Sequence, residues 1–203
     1  MTQPGTSAEG KLADVPGYKL ARRAQIVRAA LDGLRDNEYD QIQMRDVAES
    51  ADVALGTLYR YFTSKEHIYA AVLLQWAQPV VGSAENDTRP AELRIRTKMR
   101  GIIASFERRP QFFKVVIALQ NANDVNAQEI MAQFARVAVQ SLAEDFAAMG
   151  QTGASDAALM LWGIVNTMLT EATLRRHPIA EVYRIADAFI DMVATRLPAD
   201  QRH

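Results

Sequence analysis

The residues of this chain best equipped to meet another molecule sit in one short run, Leu55-Gly56-Thr57-Leu58-Tyr59-Arg60-Tyr61-Phe62. At helical spacing Leu58 and Phe62, four apart, share a face and can anchor it in a core, which turns Leu55, Gly56, Thr57, Tyr59, Arg60 and Tyr61 toward the other side. The chemistry on offer is phosphate and base-edge recognition. Two phenol hydroxyls can bond phosphates, a guanidinium suits either a phosphate or a guanine edge, and the Thr57 methyl suits a thymine methyl. Lys65, opening the next helix, adds a cation where backbone N–H groups and the helix dipole also favour phosphate. Gly56 costs a helix about 1 kcal/mol against alanine, and close approach of another molecule is one reason to keep it.

Other chemistries find little support. With no cysteine, the 203 residues exclude disulfides, thiolate metal sites and cysteine nucleophiles. His67, His177 and His203 stand apart without metal-ligand spacing, so no metal and no cofactor are expected. His67 is expected on the surface of its helix. No Gly-x-Ser-x-Gly, phosphate-cradling glycine loop or defensible Ser/His/Asp spacing occurs, and the expectation is of no catalytic residues and no enzyme. Net charge is −1, and acidic side chains match basic ones over 18–69, so a nucleic-acid reading rests on arrangement rather than bulk charge. Residues 1–17 lack the apolar run of a signal peptide and read as a frayed leader. No later stretch is long and apolar enough to span a bilayer, so a cytoplasmic protein with no membrane partner is expected.

The elements that must position the run are helices. Apolar residues make up 49% of the chain, no segment alternates long enough to suggest a strand, and the seven prolines punctuate segments of helical length. An amphipathic helix over 18–35 places Ile26, Val27, Ala30, Leu31 and Leu34 on one face and ends at Asn37, suited to a left-handed cap. Short helices follow over 44–51 and 55–61, joined by Asp52-Val53-Ala54. Thr63-Ser64-Lys65-Glu66 predicts a Thr-x-x-Glu capping box opening a helix to about 81. Further helices are predicted over 91–107, 111–121, 124–149, 156–176 and 179–196, with a break at 150–155.

Two short helices with a three-residue turn, braced by a longer first helix, make a helix-turn-helix, whose second helix enters a major groove. Small Ala48 and Ala51 allow the crossing, while Val47, Val53, Leu58 and Phe62 anchor it. The stretch from Gln43-Met44-Arg45 through Ala51-Asp52-Val53-Ala54-Leu55-Gly56-Thr57-Leu58-Tyr59-Arg60-Tyr61-Phe62 to Lys65-Glu66 resembles the DNA-binding motif of the TetR (tetracycline-repressor-like) family of transcriptional regulators. Its combination of residues is most similar to the branch of repressors that control steroid (cholesterol) catabolism. Departures are Asp52 and Ala54 in a turn commonly Ala-Gly-Val-Ser, Glu38 in place of a glycine, and Gln43 where threonine often caps.

The resemblance implies an all-α protein with a DNA-binding domain over 18–69 and a ligand-binding and dimerisation domain over 70–203. It implies base or groove contacts from Leu55, Gly56 and Thr57 and mainly phosphate contacts from Gln43, Arg45, Tyr59, Tyr61 and Lys65, with Arg60 able to do either. In the second domain Trp76, Phe106, Phe113, Val116, Met131, Phe134, Trp162 and Met168 are candidates to line an apolar cavity. From the residues alone each is more readily core than cavity lining, and only the resemblance raises the cavity. The last two helices carry apolar residues on more than one face and so need burying twice. In the family they pair with their copies, which makes Leu161, Val165, Leu169, Phe189, Ile190 and Val193 the candidate homodimer contacts. The expected function is a repressor that binds a pseudo-palindromic double-stranded DNA operator as a dimer. A small apolar effector of steroid or acyl type releases it, and the helix over 65–81 acts as the lever. The alternative is a non-catalytic ligand-binding or protein-interaction dimer with no direct DNA role.

Overall fold

A computed structural model describes residues 17–81, 87–195 and 197. The expected leader and the chain end lie outside the described residues. Among those described there are nine α-helices and no strand: α1 Gly17–Asp36, α2 Met44–Ser50, α3 Leu55–Tyr61, α4 Lys65–Val81, α5 Ala91–Arg108, α6 Pro110–Gln120, α7 Val125–Asp145, α8 Gly150–Thr173 and α9 Ile179–Ala194. A 3-10 turn, Tyr39–Gln41, precedes α2, and another, Ala147–Met149, precedes α8. None of these helices is long and apolar enough to cross a membrane.

One hydrophobic cluster runs through the molecule. In its N-terminal part, Ile26, Val27, Ala30 and Leu34 of α1 are buried with Val47, Ala48, Leu58 and Phe62, the face that the spacing predicts. The expected boundary at 69–70 falls inside α4, which packs on α1 at one side and on α7 at the other. Tyr69 is fully buried there, its hydroxyl donating to the Ala30 carbonyl at 3.3 Å and its ring edge-on to Tyr39 at 5.1 Å. The three N-terminal helices and the larger bundle therefore share the continuous helix α4, and no linker separates them at that point.

The turn between α2 and α3 is a C-cap in which Asp52 takes φ 48°. The Asp52 N–H donates to Glu49 O at 2.9 Å and the Val53 N–H to Ala48 O at 3.0 Å, the paired bonds of a Schellman motif. This is why a glycine is common there, and an aspartate is among the few residues that tolerate the conformation. Asp52→Gly is expected to stabilise the fold by about 0.5–1 kcal/mol and Asp52→Val to destabilise it by a similar amount, as read by thermal melting. The same motif ends α8, with Arg175 at φ 58° and the Arg176 N–H donating to Glu171 O at 2.9 Å.

Three local expectations are corrected. Asn37 is not left-handed: its backbone N–H and its side-chain amide both donate to Gly33 O, satisfying the last turn of α1 without a positive φ. The capping residue of α4 is Ser64, whose Oγ accepts the His67 N–H at 3.0 Å, so the cap lies one residue later than the Thr-x-x-Glu spacing suggests. Helix α8 starts at Gly150 rather than 156, because Ala154, Ala157 and Ala158 bury a small-residue face, and that packing overrides the turn-like composition of 150–155. Gly153 permits the arrangement: a Cβ there would lie 3.3 Å from Met149 Cβ.

Candidate nucleic-acid interface and the sites behind it

α3 is held at both ends. Leu58 and Phe62 are wholly buried, and the Arg23 guanidinium lies 4.9 Å over the Phe62 ring. Gln25 of α1 donates its amide to the Ala51 carbonyl at 2.8 Å, which fixes the turn on the bracing helix. With those anchors set, Gly56, Arg60, Gln43 just ahead of α2 and Arg45 within it are exposed, as are Leu55 at 36% and Tyr59 at 46%. Gln43, Arg45, Leu55 and Tyr59 share one surface cleft between the start of α2 and α3. Arg60 Nη2 donates to Thr57 Oγ1 at 3.3 Å, and Thr57 is half-buried. A Cβ at Gly56 would meet nothing within 4 Å, so no packing inside the protein calls for a glycine.

Two residues of the expected reading face are less free. Tyr61 is half-buried against the core. The Lys65 ammonium donates to the Tyr39 carbonyl and lies 4.3 Å over that ring, and burial lowers its pKa. Lys65 thus braces the turn before α2, and a phosphate must compete with Tyr39 for it.

The junction behind α3 was not legible as a site. Thr63 Oγ1 donates to Asp124 Oδ2 at 2.7 Å, Asn126 Nδ2 donates to Thr63 Oγ1 at 3.1 Å, and Asp124 Oδ1 caps α7 by accepting the Ala127 N–H. Burial pushes the Asp124 carboxyl up, but the hydrogen bonds from Thr63 and Ala127 outweigh it and hold the pKa below the usual value. His67 is half-buried; its Nδ1 accepts the Thr63 N–H at 3.2 Å and its ring meets Phe62 edge-on at 5.0 Å. Desolvation lowers the His67 pKa against the pull of Asp124, with Arg23 also lowering it. A depressed folded pKa means that the neutral ring stabilises the fold above its unfolded value near 6.5 and that this stability is lost as pH falls through the folded pKa. Melting temperature is expected to decline below about pH 6.5, and to decline less in His67→Gln.

Between α5, α6, α7 and α8 lies a cavity of about 170 Å³. Of the candidates, Phe106, Phe113, Val116, Met131, Phe134 and Trp162 lie around it, with Ile102, Ala135, Gln120 and Asn166. Two candidates do not. Trp76 stacks on Phe112 at 4.4 Å and against Phe106 at 5.0 Å, outside the lining, and Met168 lies on the opposite side of α8.

Four of the six candidate dimer contacts turn into this chain's own core. Leu161, Val165, Leu169 and Ile190 are buried within this chain, and Val165 and Leu169 line the cavity. The outward face of α8 carries Leu159, Met160, Gly163, Ile164, Thr167 and Met168, which with Ile185 and Phe189 of α9 form an open apolar groove. Leu159 is 61% and Met160 56% exposed. Phe189 keeps its expected place at this face though largely covered, and Val193 is half-buried on the same helix. Among the described residues no cluster of three His, Cys, Asp or Glu could hold a metal ion.

Comparison with known proteins bears on the N-terminal part most directly. Residues 20–72 match the family described as bacterial regulatory proteins, tetR family. The chain is 43% identical over 65 residues to the HTH-type transcriptional repressor KstR of Rhodococcus jostii, covering 32% of this chain and 31% of that protein. The chain spans between about a quarter and a third of the length of the KstR relatives it matches. Over the whole bundle it is similar in fold to a TetR transcriptional regulator from Rhodococcus sp. RHA1, with TM-score 0.69 and 20% identity over 89% of this chain and 100% of that one. It is also similar in fold to the regulator FadR from Bacillus subtilis in complex with stearoyl-CoA, with TM-score 0.63 and 16% identity over 86% and 99% of the two chains.

Proposed function

We propose that the chain is a ligand-responsive transcriptional repressor, with α3 as its reading helix and the cavity of the larger bundle as its sensor, a reading that the match of residues 20–72 to the tetR family of bacterial regulatory proteins supports. The observation that carries this is Gly56: an exposed helical glycine, next to Leu55, Thr57 and Tyr59, that the protein's own packing does not need. It works in the cytoplasm as a homodimer formed across the outward groove of α8 and α9. That places two reading helices on a pseudo-palindromic operator with half-sites roughly 34–36 Å apart. Tyr59, Arg45 and Gln43 hold phosphates, while Leu55, Gly56, Thr57 and Arg60 meet the groove. It has no catalytic role and needs no cofactor.

The effector is small and apolar, and it binds among Phe106, Phe113, Phe134 and Trp162. It can release the operator only if it binds better to the arrangement whose reading helices are wrongly spaced. The route runs through α4 and through the Thr63–Asp124 bond, which ties the end of the reading unit to the start of the cavity-lining α7.

The reporter of binding is Trp162 rather than Trp76, since only Trp162 lines the cavity. An effector is expected to change tryptophan emission in Trp76→Phe and to leave it unchanged in Trp162→Phe. The reverse pattern would remove the cavity from the account. Protection of a palindromic site upstream of the protein's own gene or its neighbours, relieved by the same effector, tests the function as a whole.

A further inference from the structure

The lining of the cavity says what kind of effector it takes. Resting on the sensor reading above, we propose that the effector enters this cavity uncharged, as a ring-sized apolar body bearing one neutral hydrogen-bonding group that the side-chain amides of Asn166 and Gln120 hold.

Charge comes first. None of the described residues lining the cavity is ionisable, and its only polar side chains are Asn166 and Gln120. A carboxylate or phosphate moved into such a site loses its hydration and gains no counter-charge, so binding as the anion is heavily disfavoured. The basic residues near the lining in sequence are engaged or turned outward. Arg108 donates to Ser105 Oγ, Arg109 lies over the Phe112 ring, Lys114 pairs with Glu38 at 2.8 Å, and Arg136 is exposed.

Size comes second. The cavity, at about 170 Å³, is close to the roughly 150 Å³ of an apolar cavity that takes up benzene. An 18-carbon acyl chain or a fused four-ring nucleus exceeds that volume and would have to extend out of it. Shape follows from the aromatic walls: Phe106 meets Phe113 edge-on at 4.9 Å and Phe134 meets Trp162 at 5.8 Å, surfaces that suit a flat ring. Asn166 is half-buried on α8 and Gln120 is exposed at the end of α6. An amide both donates and accepts, so a hydroxyl or a carbonyl serves equally.

The test uses the full-length, DNA-free protein and a matched set of probes: toluene, 4-methylphenol, 4-methylbenzoate and stearoyl-CoA, each titrated by calorimetry at pH 7.5. The expected result is 4-methylphenol tightest, at least about tenfold tighter than 4-methylbenzoate. Asn166→Leu should weaken 4-methylphenol by about five-fold, the value of one neutral hydrogen bond, and leave toluene unchanged, which also shows that the variant is folded. Binding of 4-methylbenzoate as tight as that of the phenol, or of stearoyl-CoA alone, would overturn the proposal while leaving the sensor reading in place. No binding of any of the four would overturn both.

Discussion

Replacing Gly56 by leucine is expected to abolish operator binding in a protein that melts higher than its parent. The two effects have opposite signs because they come from different partners. Inside the protein a side chain at 56 meets nothing within 4 Å, so Gly56→Ala and Gly56→Leu remove the backbone entropy cost of a helical glycine and gain about 0.5–1 kcal/mol. For a domain of this size that is a rise of roughly 2–4 °C. Against DNA, the leucine stands on the face that must lie on the groove, between Leu55 and Thr57, and lifts the helix away from its bases. Losing two contacts of about 1–3 kcal/mol each corresponds to a fall in affinity of roughly 100-fold or more. Alanine, smaller, should show the stabilisation with a lesser loss. A leucine variant that binds operator as tightly as the parent would mean that position 56 faces no groove.

The second large effect is expected from Met160→Glu combined with Ile164→Glu. Both side chains lie in the outward groove of α8; Met160 is more than half exposed, and Ile164 is half-buried at the edge of the chain's own core. Two carboxylates on a two-fold apolar interface bring four like charges together without partners, and the protein should sediment as a monomer. Operator affinity should then fall by roughly 100-fold or more, since each half-site must be bound without the help of the other. Leu161→Ala is the control from the inward stripe. It should cost about 2–5 kcal/mol of stability through a core cavity and leave the oligomeric state unchanged. If instead Leu161→Ala separates the subunits and the double glutamate does not, the outward groove is not the interface.

These two helices also show where the sequence stops being legible. Spacing correctly marks α8 as apolar on more than one face, but it does not say which stripe turns inward. Residues 161, 165 and 169 and residues 160, 164 and 168 obey the same period, and the two stripes are one residue, about 100°, apart. The side facing α7 is decided by packing, which exchanges Met168 for Val165 and Leu169 in the cavity. The reading unit was legible almost throughout, because Leu58 and Phe62 at one spacing and Gly56, Thr57 and Tyr59 at another leave a single consistent orientation. Its brace was not: the Gln25 amide on Ala51 and the Thr63–Asp124 bond join residues far apart in sequence, and only the fold brings them together. The cap at Ser64 could have been found, since a serine three residues before a residue whose N–H needs an acceptor fits as well as Thr63 does.

If the exposed face formed by α3 and the start of α2 reads an operator, binding must depend on phosphate contacts from that face, which a salt series measures. The parent, Tyr59→Ala and Arg45→Ala would each be titrated into DNA from upstream of the gene and its neighbours, with affinity measured at several salt concentrations. The parent is expected to protect a pseudo-palindrome saturably, with affinity falling steeply as salt rises. Arg45→Ala should weaken binding and flatten the dependence by about one phosphate contact per protomer, and Tyr59→Ala should weaken binding with the fold intact. Equal binding by parent and variants, or no protected site on any fragment, would contradict the account and leave a helical ligand-binding protein whose exposed tyrosine and glycine serve something other than DNA.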